Sequence, residues 1–462
     1  MRTWLLAWRN LLRNRRRSLA TLLAMVIGLT AILVFGGYRS NISYGMETGF
    51  VQVSGHLQVQ RQDFFLEGGD NPTAYGIADY ERIIAAIRHD AVLAPMLTVV
   101  TPTLQLGGLA GNFSAGVSRS VVSTGLVASD RNRMLAWNDY GVRSYAQPVG
   151  LEGTSPDAVV IGEGVARKLK LCASLQVPHC AHAAPAAPSD GAPEPEDILR
   201  LSALEPPAGT AAPGTRIEML AATSHGAPNV ASLSVVKASN MGIKALDDIY
   251  LAMHLAQAQK LIYGATPPQV TAIQVQLQHT RQIPLAQARL RQLLATQFGN
   301  QPLDVLDFAT LNPTYGQTAQ FMGSMFGFVA VLIGVIVLFT IGNTMSSAVV
   351  ERTVEIGTLR AMGLRRSGLR HLFLCEGVLL GLIGAVLGVL FALGIAFLIN
   401  HSALTWTPPG YSYAYLILVR VWQDLPLLAG SVLGLIGVTV ASAWWPAHRA
   451  STLVIVEALR HA

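Results

Sequence analysis

The sequence predicts a membrane protein: four transmembrane α-helices in a 1+3 order, with a large mixed α/β extracytoplasmic domain inserted between helices 1 and 2. Three observations carry this. The 462 residues are 51% hydrophobic and only 13% charged, roughly half the charge of a soluble domain. The apolar residues gather into four runs, Leu19–Gly37, Phe321–Val350, Leu372–Ile399 and Leu425–Ala443. Each can cross a hydrocarbon core of ~30 Å at about 1.5 Å per residue. The stretch between the first two runs, Tyr38–Gln320, has ordinary polarity and room for one or two folded domains.

The basic residues set the expected direction. The net charge is +6, and six arginines (Arg2, Arg9, Arg13, Arg15, Arg16, Arg17) precede the first run. Arg352, Arg360, Arg365, Arg366 and Arg370 fill the gap between the second and third, Arg449 and Arg460 follow the fourth, and only Arg420 lies between the third and fourth. Arginine excess marks the cytoplasmic side. Both termini and 351–371 are therefore expected inside, the domain and 400–424 outside. Charges that all abut spans argue against nucleic-acid binding as the reason for a basic chain.

Residues 1–18 (MRTWLLAWRNLLRNRRRS) place Trp4, Leu5, Trp8, Leu11 and Leu12 at helical spacing, with Arg9, Arg13 and Arg16 opposite. This reads either as an amphipathic interfacial helix or as a plain positive-inside anchor. The first span is assigned to 19–38. Its apolar core is longer than that of a cleaved signal and no small-x-small site follows, so an uncleaved anchor is expected.

The domain, 39–320, opens with Gly55–Gln60 (GHLQVQ), an alternating strand pattern. Ile77–Ile87 reads as a helix, Met96–Leu104 and Val117–Val122 as strands. Ala158–Leu171 (AVVIGEGVARKLKL) reads as strand, glycine turn and helix, with strand-to-helix packing a better account of the turn than phosphate binding. Residues 172–215 form an Ala/Pro-rich insertion. Cys172 and Cys180 stand at its start, beside His179 and His182. A disulfide, two free thiols or a metal site are each compatible with that group, although the spacing fits no standard zinc pattern. No metal is assigned. Arg216–Ala221, Ser232–Ala238, Gln269–Gln278 and Leu303–Leu306 read as strands, Ile249–Ile262 and Pro284–Phe298 as helices, giving a mixed α/β domain.

The second span is expected at 321–350, running straight into a charged coupling helix at 351–371 (ERTVEIGTLRAMGLRRSGLRH). The third span is expected at 372–399, a short outer loop at 400–424, the fourth span at 425–443 and a cytoplasmic tail at 444–462. Gly377, Gly381, Gly384 and Gly388 follow one face of the third span, and Gly430 and Gly434 lie in the fourth. Small residues four apart permit close helix approach in lipid. Glu376 sits about one turn inside the third span, either snorkelling or paired to a helix, or else a proton or substrate site. Cys375 reads as an inert thiol.

Missing motifs narrow the function. The five lysines, Lys168, Lys170, Lys237, Lys244 and Lys260, never follow a glycine, so the phosphate-binding Gly-Lys-Ser/Thr is not present. G-x-S-x-G, H-E-x-x-H and paired intraspan acids are not present either. No catalytic residue is assigned, and no cofactor is expected on this chain.

Glu351–Gly363 (ERTVEIGTLRAMG) closely resembles the post-helix motif of the MacB/FtsX-like ABC transporter permeases, the mechanotransmitting type VII group. Pro446–Arg460 (PAHRASTLVIVEALR) resembles that family's closing motif, except that Ile455 stands where proline is usual. GHLQVQ and 158–171 look like its outer domain, the former leaning toward the lipoprotein-releasing branch. The resemblance implies a dimer with a second permease copy or paralogue. It also implies a separate cytoplasmic ATPase that holds ATP and Mg, and transmission of ATP-driven motion to the outer domains in a bacterial inner membrane. Glu351, Arg352, Glu355, Gly357, Arg360 and the turn at Gly363 would be the ATPase-coupling contacts. The cargo would be lipophilic or peptidic, as in lipoprotein release or efflux, with membrane lipid, a lipoprotein or a periplasmic adaptor as further partners. The alternative is a transmembrane signalling scaffold that activates a periplasmic cell-wall hydrolase without moving cargo.

Overall fold

The computed structural model describes residues 7, 9, 13, 15–69, 71–178, 180, 215–407, 410–412 and 414–452. The chain divides into two units, Met1–Met46 with Thr314–Trp406 and Tyr415–Ala462, and Glu47–Pro313 with Thr407–Ala414.

In chain order, α1 (Arg15–Ser54) leads into β1 (Leu57–Arg61), α2 (Tyr80–His89), β2 (Leu97–Asn112), β3 (Val117–Leu126) and α3 (Ala128–Leu135). Then come β4 (Ala158–Gly162), α4 (Glu163–Lys168), β5 (Arg216–Ala222), β6 (Pro228–Ser239), β7 (Tyr250–His254), α5 (Leu255–Tyr263), β8 (Ala272–Leu277), α6 (Ile283–Gln297) and β9 (Leu303–Asp307). The remaining helices are α7 (Pro313–Glu351), α8 (Thr353–Ala361), α9 (Arg366–His401) and α10 (Leu425–Thr452).

In the α/β unit, strand order is β3-β7-β4-β6-β5-β2-β8-β1-β9, with an additional β3–β2 pairing. The 16-residue β2 makes this possible. Its first half pairs β8, its second half pairs β5, and its other edge carries β3. Six strands thus close on themselves and three extend from them. The core is aliphatic, with Ile83, Ile87, Leu104, Ile161, Leu251 and Ile273 all buried. It takes its helical side from α2, whose Ile83, Ile84 and Ile87 recur on one face.

One sequence expectation fails here. Ile249–Ile262 is not one helix: Tyr250–His254 is strand β7, parallel to β3 and antiparallel to β4, and only Leu255–Tyr263 is helical. A short apolar run flanked on both edges is a buried strand, and periodicity alone does not separate that from a helix.

In the other unit, α1, α7, α9 and α10 are each long and apolar enough to cross a membrane. All four outrun the expected spans. At 40 residues α1 measures ~60 Å, twice a hydrocarbon core. The helix continues past residue 38 because the polar Tyr38–Ser54 segment contains no proline to stop it. Met25, Leu29, Leu33, Ile341, Leu380 and Ala392 form the interior of the four-helix group.

Candidate functional site

The charged segment after α7 turns at Gly363, as expected, but it also breaks earlier, so 351–371 does not run straight on from α7. At Arg352 the backbone leaves helical geometry (φ −104°, ψ 17°). Thr353 Oγ1 donates back to the Val349 and Val350 carbonyls at 3.1 and 2.7 Å, a contact that bends helices. The second break is at Gly363, which takes φ +97°, where a side chain would be strained. Its N–H donates to Arg360 O at 3.1 Å, ending α8. Helix α9 starts three residues later.

Between the breaks, α8 turns one face inward. Ile356 packs in a cluster with Val349, Leu369, Phe373, Ala447 and Ala450, so α8 is held on both α9 and α10. Gly357 is buried on the same face, whereas Glu351 and Glu355 are exposed and Arg360 is half-buried. Arg13 Nη2 donates to Glu355 Oε1 at 2.6 Å, both side chains being about half exposed.

Arg352 does not lie among the outward contacts expected of it. Its side chain is 9% exposed and its Nη1 lies 3.3 Å from Oε1 of Glu376, which is 4% exposed. The physical reason is the first break, which rotates position 352 toward α9, where a buried carboxylate needs a counter-charge. Glu376 is therefore helix-paired rather than snorkelling. A third tie joins α9 to α10, where Arg370 Nε donates to Ser451 Oγ at 2.9 Å.

The glycine face of α9 serves two neighbours. A Cβ on Gly377 would meet Ala443 Cβ at 2.9 Å and one on Gly381 would meet Thr439 Oγ1 at 2.5 Å, both on α10. A Cβ on Gly384 would meet Met25 at 3.0 Å and one on Gly388 would meet Leu29 at 2.9 Å, both on α1. Thr30 Oγ1 donates to Gly388 O at 3.2 Å, a polar contact of the kind that close approach permits. Gly430 and Gly434 do something else. Nothing lies within 4 Å of a Cβ at either, and they border a cavity of 610 Å³.

Within the α/β unit, the connection between α9 and α10 proves to be more than a short loop. Its residues Thr407–Ala414 belong to this unit. Tyr411 bridges Ile243, Lys244 N donates to Gly410 O at 3.1 Å, and Ser412 N donates to Gly242 O at 2.9 Å. Ser412 Oγ also donates to Asn240 Oδ1 at 2.6 Å. Sequence reasoning missed this strap, which rests mostly on main-chain pairing and on one serine with no recognisable spacing. His56, inside GHLQVQ, is fully buried against Trp137 at 4.8 Å between ring centroids and accepts from Leu277 N at 3.0 Å. Burial lowers its pKa to about 4, with Asp139 opposing and His279 adding to the shift.

Cys172 and Cys180 are joined as a disulfide, with Cα atoms 6.1 Å apart. His179, His182 and 181–214 lie outside the described residues, as do Trp4, Trp8 and the end of the tail with Ile455. Arg9 is exposed, and Cys375 is a free, half-buried thiol.

Four membrane-capable apolar helices tied to a charged, partly exposed segment, together with a mixed α/β domain following the first helix, fit a multi-pass membrane protein. The comparisons agree. Residues 326–455 match the FtsX-like permease C-terminal family and residues 18–177 match the MacB-like periplasmic core domain. The chain thus carries an FtsX-like permease C-terminal region and a MacB-like periplasmic core. It is 30% identical over 215 residues to the macrolide export ATP-binding/permease protein MacB of Bordetella avium, covering 46% of this chain and 29% of that one. It is 34% identical over 143 residues to the ABC transporter permease YtrF of Bacillus subtilis, covering 29% and 30%. The matches thus span less than a third of either relative. The extracellular domain of the ABC-type transporter YknZ from Gram-positive bacteria aligns at 13% identity and a TM-score of 0.28, over 54% of this chain and 99% of that one.

Proposed function

We propose that this chain is the permease of an ABC transporter complex in a bacterial inner membrane, and that it passes ATP-driven motion to its α/β domain on the outer side. The observation that carries the reading is the attachment of α8. Ile356 and its cluster, with the Arg352–Glu376 pair one turn away, tie the exposed Glu351/Glu355 face to α7, α9 and α10. A push on that face reaches three helices together. The chain then offers three covalent routes to the domain: α1 into β1, β9 into α7, and the 407–414 strap.

ATP binding and hydrolysis belong in this reading to a cytoplasmic nucleotide-binding partner, and the permease acts as a pair. The names of the MacB relatives support export, and the apolar cavity supports a lipophilic cargo over pure signalling to a cell-wall hydrolase. The test is to purify the chain with and without the ATP-binding protein that accompanies it. The chain alone should hydrolyse no ATP, and the complex should hydrolyse it in a permease-dependent way. ATP turnover by the chain alone ends the reading.

A further inference from the structure

The 610 Å³ cavity in the helical unit is lined by α1, α7 and α10, a size within the roughly 300–1,000 Å³ of ligand sites. Its two ends differ. One is aliphatic, with Val337, Leu435 and Val438. The other carries Arg39, Ser40, Ser43, Tyr44 and Asp424. From Gly28 to Tyr44 along α1 is about 24 Å of helix, longer than the ~15 Å that one leaflet contributes to a hydrocarbon core.

Of the two charged groups at this end, the acid is already committed. Asp424 is engaged: it accepts from Ser40 Oγ at 2.5 Å and from Leu427 N at 3.1 Å, capping α10. Arg39 has only the face of Phe326, 5.1 Å from its Cζ, and has no acidic partner among the described residues. Arg420, 5.6 Å from the ring of Tyr44, lies outside the lining and interacts electrostatically with Asp424, so the cation facing the cavity is Arg39. This end therefore suits an anion, while the walls suit a hydrocarbon chain.

We propose that the cavity is a binding site for a phospholipid with an anionic head, one acyl chain lying along α1 and the head meeting Arg39. Glycine keeps the site open. A Cβ on Gly334, Gly430 or Gly434 would meet nothing within 4 Å, so side chains placed there fill the cavity without displacing a helix. The inference rests on the permease reading only in placing these helices in a bilayer.

The test uses the full chain in phosphatidylcholine nanodiscs doped with a phosphatidylglycerol probe bearing a photoactivatable acyl chain. Labelled peptides should map to Gly28–Tyr44 and Leu427–Val438. The Gly430→Leu/Gly434→Leu variant should lose about tenfold or more of that label, because excluding two methylenes already costs this much. Gly334→Leu, on the opposite wall, should do the same independently. Arg39→Gln should abolish the preference over an otherwise identical phosphatidylcholine probe. Undiminished labelling in both filled variants, or no head-group preference in the native chain, overturns the proposal, as does cross-linking of the site to a second copy of the chain in place of lipid. The labelling uses no nucleotide; permease-dependent ATPase activity of the complex, measured separately on the filled variants, tests the permease reading whichever way the labelling falls.

Discussion

Arg352 Nη1 and Glu376 Oε1 face each other at 3.3 Å, both side chains buried, across the break that separates α7 from α8. Removing one partner strands the other charge, at a cost of about 3–5 kcal/mol, whereas replacing both with apolar groups is often neutral. Glu376→Gln should therefore lower the melting temperature in detergent, and the Arg352→Met/Glu376→Leu double variant should recover it. If Glu376→Gln melts like the parent, the pair does not hold the junction.

The exposed acids are expected to behave in the opposite way. The Arg13–Glu355 contact is half exposed and worth ~0–1 kcal/mol at most. Charge reversal at Glu351 and Glu355 should leave melting unchanged and remove permease-dependent ATPase activity of the complex. Unchanged activity in that double variant would move the handle elsewhere.

Glycine positions that look alike in sequence should separate in the laboratory. Gly381→Leu collides with Thr439 and Gly388→Leu with Leu29, and overpacking of this kind costs about 1–3 kcal/mol. Gly430→Leu meets open space. Thermal melts should drop for the first two and not for the third. Equal losses at all three would contradict the packing described.

The α/β domain should lose stability in acid through His56. Its folded pKa of about 4 lies below the ordinary 6.5, so the unfolded chain takes up the proton first. Stability from this group is complete above 6.5 and declines as pH falls toward 4, by on the order of 3 kcal/mol. Denaturant unfolding of the domain should weaken between about pH 7 and pH 4.5, and His56→Gln should flatten that slope. An equal slope in the variant would assign the acid sensitivity to other groups.

The Cys172–Cys180 bridge can be read by peptide mapping. Non-reducing digestion of the native chain should yield one linked fragment that separates on reduction. Two free thiols in chain extracted under alkylating conditions would contradict it.

Much of this architecture is legible in the sequence because membrane helices and α/β strands obey strong local rules. Runs such as Phe321–Val350 admit one physical reading, and the alternation of Gln58–Gln60 places β1 to within a residue or two. What the sequence hid depends on contacts between distant positions. Arg352 follows an apolar run and reads as solvent-facing until Glu376 appears beside it. The α9 glycines advertise close packing without naming Thr439, Met25 or Leu29, and Gly430 carries the same signal for the opposite purpose. Tyr250–His254 is too short for its period to distinguish strand from helix.

In the proposed coupling an ATP-binding protein takes hold of α8. Thr358 is exposed on that helix, and a photo-crosslinking residue placed there in living cells would capture whatever docks on it. The expected product is an adduct with a nucleotide-binding subunit whose yield changes between ATP-bound and ADP-bound states. Adducts that contain no ATP-binding protein would contradict that coupling.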